Sequence, residues 1–131
     1  MKKIIIIILV ILFALIAAGA CAFGVWSYGN LNWYKGYDKT LKKLGAVERQ
    51  FTLPDGSVIN YGEIRNDKPA LLLIHGQMAE WESYAPVLTF LSENWHIYAV
   101  DVYGHGQSSH DPDLYYLDRN GDDLIRFINE V

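Results

Sequence analysis

The 131-residue chain has a single cysteine, Cys21, so no internal disulfide framework can staple it. No Cys and His residues stand at the spacing of a structural zinc site, and His105, His110 and Asp111 fit no ligand pattern, so no metal and no cofactor are expected. Basic residues are the minority, 11 against 15 acidic for a formal net charge of −4. They form no stripe interleaved with aromatics of the kind that follows a phosphate backbone, which excludes nucleic acid as an expected partner. There is no internal repeat, and the only biased stretch is one isoleucine-rich apolar run.

That run extends without a charge from Ile4 to Trp26, after Met1-Lys2-Lys3, and is long enough to cross a hydrocarbon core of about 30 Å as a helix. Trp26, Tyr28, Trp33 and Tyr34 precede the next positive charge, Lys35, and such rings settle at the headgroup level. Three readings stay open for residues 1–28. The segment is an uncleaved anchor, or a signal peptide cut after the small residues Ala18-Gly19-Ala20, or a lipoprotein signal cut before Cys21, although Ala18 stands where leucine is more usual. Each makes membrane lipid the expected partner. Lys2 and Lys3 favour an inside amino terminus, while Lys35, Lys39, Lys42 and Lys43 form a basic cluster on the other flank. Export is the preferred reading: a single-pass protein with an extracytoplasmic domain, or a secreted or lipid-anchored one. Residues 29–46 read as a juxtamembrane stalk, partly helical from Asn30 to Leu44, whose lysines either brush anionic lipid or are simply solvated.

Residues 47–131 carry the pattern of a layered α/β domain. Val47–Leu53 and Val58–Ile64 read as strands joined by Pro54-Asp55-Gly56-Ser57, a turn in which proline presets φ and glycine accepts φ > 0. Ala70–Ile74 is an uninterrupted apolar run, expected as a parallel strand covered on both faces. From Ala79 to Asn94, Trp81, Tyr84, Val87, Leu88 and Leu91 recur at steps of three and four, which predicts a helix kinked or broken at Pro86. Trp81 and Tyr84 suit core packing and pocket lining equally. Ile97–Val100 reads as the next buried strand. Asp122 and Asp123, then Leu124, Phe127, Ile128 and Val131, predict a helix with acidic residues in an early turn and an apolar face. Hairpin, strand, helix, strand, helix is the opening of a βαβ arrangement, in which ligands gather at the carboxyl ends of the strands.

Two strand ends carry the chemistry. The first reads Ile74-His75-Gly76-Gln77-Met78 with a helix expected almost at once. Glycine there permits a tight turn whose amides, near a helix amino terminus, point to where negative charge can develop. The second reads Asp101-Val102-Tyr103-Gly104-His105-Gly106-Gln107-Ser108-Ser109, a glycine-assisted reversal beside the same edge.

Together these residues resemble the α/β-hydrolase family, in which a strand leads into a His-Gly-x turn and the next into Asp-x-x-Gly-x-Gly-x-Ser. The resemblance runs from about Val47 to Val131 and implies the N-terminal half of an α/β-hydrolase-type sheet. It further implies that Gln77 donates its backbone N–H to an oxyanion, that His75 and Gly76 shape that turn, and that Asp101, Gly104, Gly106 and Ser108 shape the neighbouring loop. The family's nucleophile sits in a Gly-x-Ser-x-Gly elbow on a later strand, followed by an acid and a general-base histidine. No such elbow occurs here. Ser108 has Gly106 two positions before it but His110 two positions after, and it follows the wrong strand. His75 comes too early in chain order for the general base, and His96, His105 and His110 read as surface or loop residues. Asp101 is either catalytic or, more commonly at a strand end, the holder of its own loop.

The implied function is a membrane-associated or exported serine hydrolase cleaving an ester, amide or similar acyl bond of a small-molecule substrate, present as an N-terminal fragment without its nucleophile and inactive alone. In the family the missing strand lies beside Ala70–Ile74, so an open apolar strand edge is expected. Two alternatives remain. One is a non-catalytic membrane-tethered interaction protein or inactive gene fragment. The other is a nucleotide-binding α/β domain, because Gly104-His105-Gly106-Gln107-Ser108-Ser109 half-matches a dinucleotide fingerprint.

Overall fold

The structure, a computed structural model, describes residues 2–32 and 36–131. The expectations placed on Met1, Trp33, Tyr34 and Lys35 fall outside those residues. The chain forms two compact units.

The first is a single apolar helix, α1 (Lys2–Leu31), of 30 residues. At 1.5 Å per residue it is about 45 Å long, more than the ~30 Å of a hydrocarbon core. By length and composition it can cross a membrane, and a signal sequence would meet the same description. The carboxamides of Asn30 and Asn32 donate to the carbonyls of Trp26 and Tyr28, one turn back, at 3.0 and 2.9 Å, and Tyr28 O also accepts from Asn32 N–H at 3.0 Å.

The second unit contains α2 (Asp38–Lys43), β1 (Val47–Thr52), β2 (Val58–Ile64), β3 (Ala70–Ile74), a 3-10 turn (Trp81–Tyr84), α3 (Ala85–Leu91), β4 (His96–Val100) and α4 (Leu117–Glu130). The strands form one mixed sheet in the order β1-β2-β4-β3. β1 and β2 pair antiparallel as a hairpin, with Val47 opposite Glu63. β2 pairs antiparallel with β4, and β3 pairs parallel with β4 from Ala70↔His96 to Ile74↔Val100. The hairpin turn is closed by Gly56 at φ 87 and by Asp55, whose Oδ1 accepts from Ser57 N and Oγ at 3.0 and 2.7 Å.

Because strand side chains alternate between faces, Ile97 and Ala99 enter one core with Ile64, Trp81, Ala85, Leu88 and Leu41. Val100 and Tyr98 enter the other with Ile59, Tyr61, Tyr103 and Phe127. The first core is closed by α2, the 3-10 turn and α3, the second by α4. Burying Leu88, 1% exposed, stabilises the first core on the order of 2–5 kcal/mol relative to alanine.

Several expectations need correction. The helix read over Ala79–Asn94 is broken beside Pro86 as expected, but it starts only at Trp81 and ends at Leu91, with Pro86 in the first positions of α3, where a missing N–H costs nothing. The phase restarts at that break: Trp81, Ala85 and Leu88 are buried while Val87 is 46% exposed. The helix does not begin at once after β3 either. Six residues, 75 to 80, precede the 3-10 turn and α3 follows only at Ala85, so the amides of Gly76 and Gln77 are not at a helix amino terminus.

β3 is partly covered on both faces, with Leu73 against the first core and Leu72 against the second. It nevertheless lies at the sheet edge, with Ala70 exposed and Ile74 49% exposed, which leaves an open apolar edge as expected. The apolar face read for the last helix is only partly buried: Phe127 is in the core, but Ile128 and Val131 line an apolar groove of about 380 Å³ with Ala70, Leu72 and Tyr98. Its first-turn acid is Asp118, whereas Asp123 is buried one turn later. Finally, residues 36 to 46 are not a free stalk, since Tyr37, Leu41, Leu44 and Ala46 pack on the first core.

Candidate active site

Since β3 and β4 run parallel and in register to Ile74↔Val100, the chain leaves both strands at the same edge of the sheet. His75-Gly76 and Asp101 therefore emerge side by side, as the two motifs require.

Asp101, 1% exposed, is the hub. Its Oδ1 accepts from Trp81 N–H at 2.7 Å, and its Oδ2 accepts from Asn60 Nδ2 at 2.8 Å and Gln107 N–H at 3.3 Å. Its carbonyl accepts from Ser108 Oγ at 2.7 Å, and that same Oγ accepts from Asn60 N–H at 2.8 Å. Both carboxylate oxygens are thus occupied, and the Ser108 hydroxyl is buried and committed at both its donor and an acceptor position. Neither group faces a reacting atom. Ser109 Oγ likewise accepts from Val58 N–H at 2.8 Å.

The two glycines of this loop have separate reasons. Gly106, at φ 51, lies so near the carboxylate that a Cβ would fall 1.9 Å from Asp101 Oδ2. Gly104, at φ 81, would place a Cβ 2.8 Å from the Tyr115 ring. The loop's amides are spent internally: Gly104 N–H on Ser109, His105 N–H on Val102, Ser108 N–H on His105, and Ser109 N–H on Val58. Together with Gln107 N–H on Asp101, this leaves no row of donors for a pyrophosphate, which removes the dinucleotide reading.

The His75 ring is clamped. Val102 N–H donates to Nε2 at 3.2 Å, while Nδ1 lies 2.7 Å from the Gly76 carbonyl and must donate to it. A proton on Nδ1 and a lone pair on Nε2 define the neutral tautomer, with neither nitrogen left for a substrate. His105 repeats the pattern, its Nδ1 3.2 Å from Tyr103 O and its Nε2 3.3 Å from the Met78 N–H it accepts from. The two rings lie 5.0 Å apart. His105 is thus a loop residue, as expected, and its ring also shapes the site.

Met78 is the strained residue of the turn, at φ 61 without being glycine. Gly76, by contrast, has no positive φ, and a Cβ there would meet no atom of the described residues within 4 Å. The backbone turns at Met78, so the glycine at 76 is not required by the fold. Met78 N–H is taken by His105, and among the described residues no acceptor takes the N–H of Gln77. Gln77 is exposed and lies on the wall of a cavity of about 740 Å³ at the strand ends. Ile74, Met78, Val102, Tyr115, Leu117 and Leu124 give that cavity an apolar lining.

Beneath the turn lies a network that no sequence pattern announced. Asn60, fully buried, bridges Asp101 and Glu48 through Nδ2, the latter at 2.9 Å, and Glu48 also accepts from the Trp81 indole N–H at 3.3 Å. Among the described residues, Asn60 Oδ1 has no hydrogen-bond partner. Burial, followed by the charge of Glu80, pushes the neighbouring Glu82 carboxyl up to about 7. On the other side Tyr103 donates to Asp123 at 2.8 Å, and Arg119 binds Asp123 at 2.5 Å and also Asp55. These contacts fasten α4 to the hairpin turn. His96 is no surface residue: its Nε2 lies 2.9 Å from Glu63 Oε1 and its Nδ1 3.2 Å from Asn66 O. His110 Nδ1 lies 2.7 Å from the Ser108 carbonyl, tying down the loop's exit.

No family model matches the chain. It is 30% identical over 63 residues to an (E)-2-((N-methylformamido)methylene)succinate hydrolase of Acinetobacter baylyi, covering 48% of this chain and 24% of that protein. The chain thus spans about a quarter of the curated relative it matches. Among solved structures it is similar to a membrane phospholipase A described as a bacterial virulence factor, with TM-score 0.63 and 26% identity over 90% of this chain and 39% of that one. It is also similar to a haloalkane dehalogenase loop variant from Bradyrhizobium elkanii, with TM-score 0.59 and 26% identity over 65% of this chain and 28% of that one. These neighbours are α/β-hydrolases, and the four-stranded mixed sheet with its helices is the α/β-hydrolase arrangement over part of its length.

Proposed function

We propose that residues 47–131 are the N-terminal portion of a serine hydrolase of the α/β-hydrolase type, acting on an ester, amide or similar acyl bond of a small molecule, and carried to a membrane by α1 with the domain extracytoplasmic. The carrying observation is the Gln77 N–H, which has no acceptor among the described residues and borders the cavity where β3 and β4 end. A backbone donor held in a strained turn, beside two histidines fixed as neutral braces, is pre-organised for charge that appears only during reaction.

In the proposed chemistry a serine Oγ, not among these residues, attacks the acyl carbon as a histidine takes its proton. The carbonyl electron pair moves onto oxygen, which accepts from Gln77 N–H and from the N–H following the nucleophile. Collapse restores the carbonyl and expels the leaving group, which takes the proton from histidine. One such donor is worth about 10²–10³ in kcat. The apolar lining favours a substrate with an apolar acyl part, in keeping with the phospholipase named among the neighbours.

The coding sequence after residue 131, read in all frames, tests this. A strand leading into Gly-x-Ser-x-Gly is expected, and a fluorophosphonate should label that serine in the longer product and no serine in residues 1–131. Absence of the elbow from every frame, or an adduct on Ser108, would overturn the reading.

A further inference from the structure

Helix α2 presents Lys39, Lys42 and Lys43 on a fixed mount. Leu41, 7% exposed, is packed among Trp81, Ala85 and Leu88, with Tyr37 and Leu44 against the same core. The three lysines are all exposed, and among the described residues no ion pair uses any of them. Asp38 is the only acid in the helix. The patch is therefore locally positive on a chain whose net charge is −4. In sequence only residues 32 to 37 separate α2 from the apolar helix, and that much chain spans at most about 25 Å. A cationic face on so short a tether meets any bilayer entered by that helix at high effective concentration.

We propose that the Lys39, Lys42 and Lys43 face docks on the anionic lipid headgroups of the membrane α1 enters, holding the α/β body against the surface. This rests on the reading of α1 as a membrane anchor. Each lysine near an anionic surface contributes about fivefold in partitioning, so three together give about a hundredfold preference over a neutral surface. Because Leu41 and Tyr37 fix the helix to the first core, docking sets the orientation of the whole body.

The full chain is reconstituted in vesicles of neutral phosphatidylcholine and in vesicles with about one third phosphatidylglycerol, then treated with a membrane-impermeant amine-acylating reagent. Mass spectrometry reads the acylation of Lys39, Lys42 and Lys43 relative to Lys68, which is exposed in the loop after β2. The ratio is expected to fall at least about fivefold in anionic vesicles and to recover in about 0.5 M salt, where screening shortens to a few ångströms. An equal ratio in both vesicles overturns the proposal, as does a ratio lowered equally in neutral ones, which would mark a contact between copies of the chain. Alkaline carbonate extraction of the same vesicles separates the two readings. Release of the chain defeats the anchor, whereas retention with an unchanged ratio defeats only the docking.

Discussion

The indole of Trp81 lies so close to Gly62 that a Cβ at position 62 would fall 2.1 Å from Trp81 Cε3. Trp81 is 6% exposed, and its backbone N–H is held by Asp101 and its indole N–H by Glu48, so the ring cannot step aside. Gly62→Ala is expected to destabilise the α/β unit by about 3 kcal/mol through overpacking. Denaturant unfolding followed by near-ultraviolet circular dichroism measures it, and a midpoint unchanged from wild type would show that the indole has room to move.

Asp101→Asn keeps the shape but turns one acceptor oxygen into a donor. Whichever way the amide sits, it faces the N–H of Trp81 or the donors Asn60 Nδ2 and Gln107 N–H. The expected loss is about 3 kcal/mol, from charge-assisted hydrogen bonds replaced by a buried donor facing donors. Faster hydrogen exchange at Trp81 and Gln107 than elsewhere in the sheet would accompany it; uniform exchange would contradict the hub role.

Glu82 sets a pH dependence. Its carboxyl is pushed from the ordinary 4.5 up to about 7, first by burial and then by Glu80, with smaller contributions from Glu48 and Asp101. The folded state therefore binds its proton more tightly than the unfolded chain, and this part of the stability is complete below about 4.5 and lost as pH rises through about 7. Glu82→Gln should flatten that window and raise Tm at pH 8 relative to wild type. Parallel Tm curves for the two proteins from pH 5 to 8 would rule it out.

The glycines at 76 and 106 should behave oppositely. Gly106→Ala forces a Cβ into the Asp101 carboxylate at positive φ and should unfold the 103–109 loop, visible as lost amide dispersion there. Gly76→Ala meets only open space, so stability should stay within about 0.5 kcal/mol. In an active, longer hydrolase the same change should lower kcat, because the added methyl stands beside the proposed oxyanion position. A stability loss at Gly76 comparable to that at Gly106 would mean that the turn is packed and faces no cavity.

Much of this protein was legible in its residues taken a few at a time. The spans of all four strands, the Pro54–Ser57 turn and the break at Pro86 follow from local rules of alternation, ring constraint and apolar run length, each acting over a handful of positions. The ordered pair of strand-end motifs, His75-Gly76-Gln77 and Asp101 through Ser108, belongs to the same class, as does the capacity of α1 to cross a bilayer. Tertiary structure alone decided the rest. Asn60 was one polar residue in an alternating strand until pairing set it between Glu48 and Asp101. Leu41 belonged to a stalk until it found Trp81 and Leu88, and Met78 bent the chain where Gly76 had been expected to. These outcomes depend on groups tens of residues apart meeting at hydrogen-bond or van der Waals distance, and no window of sequence contains both partners of such a contact.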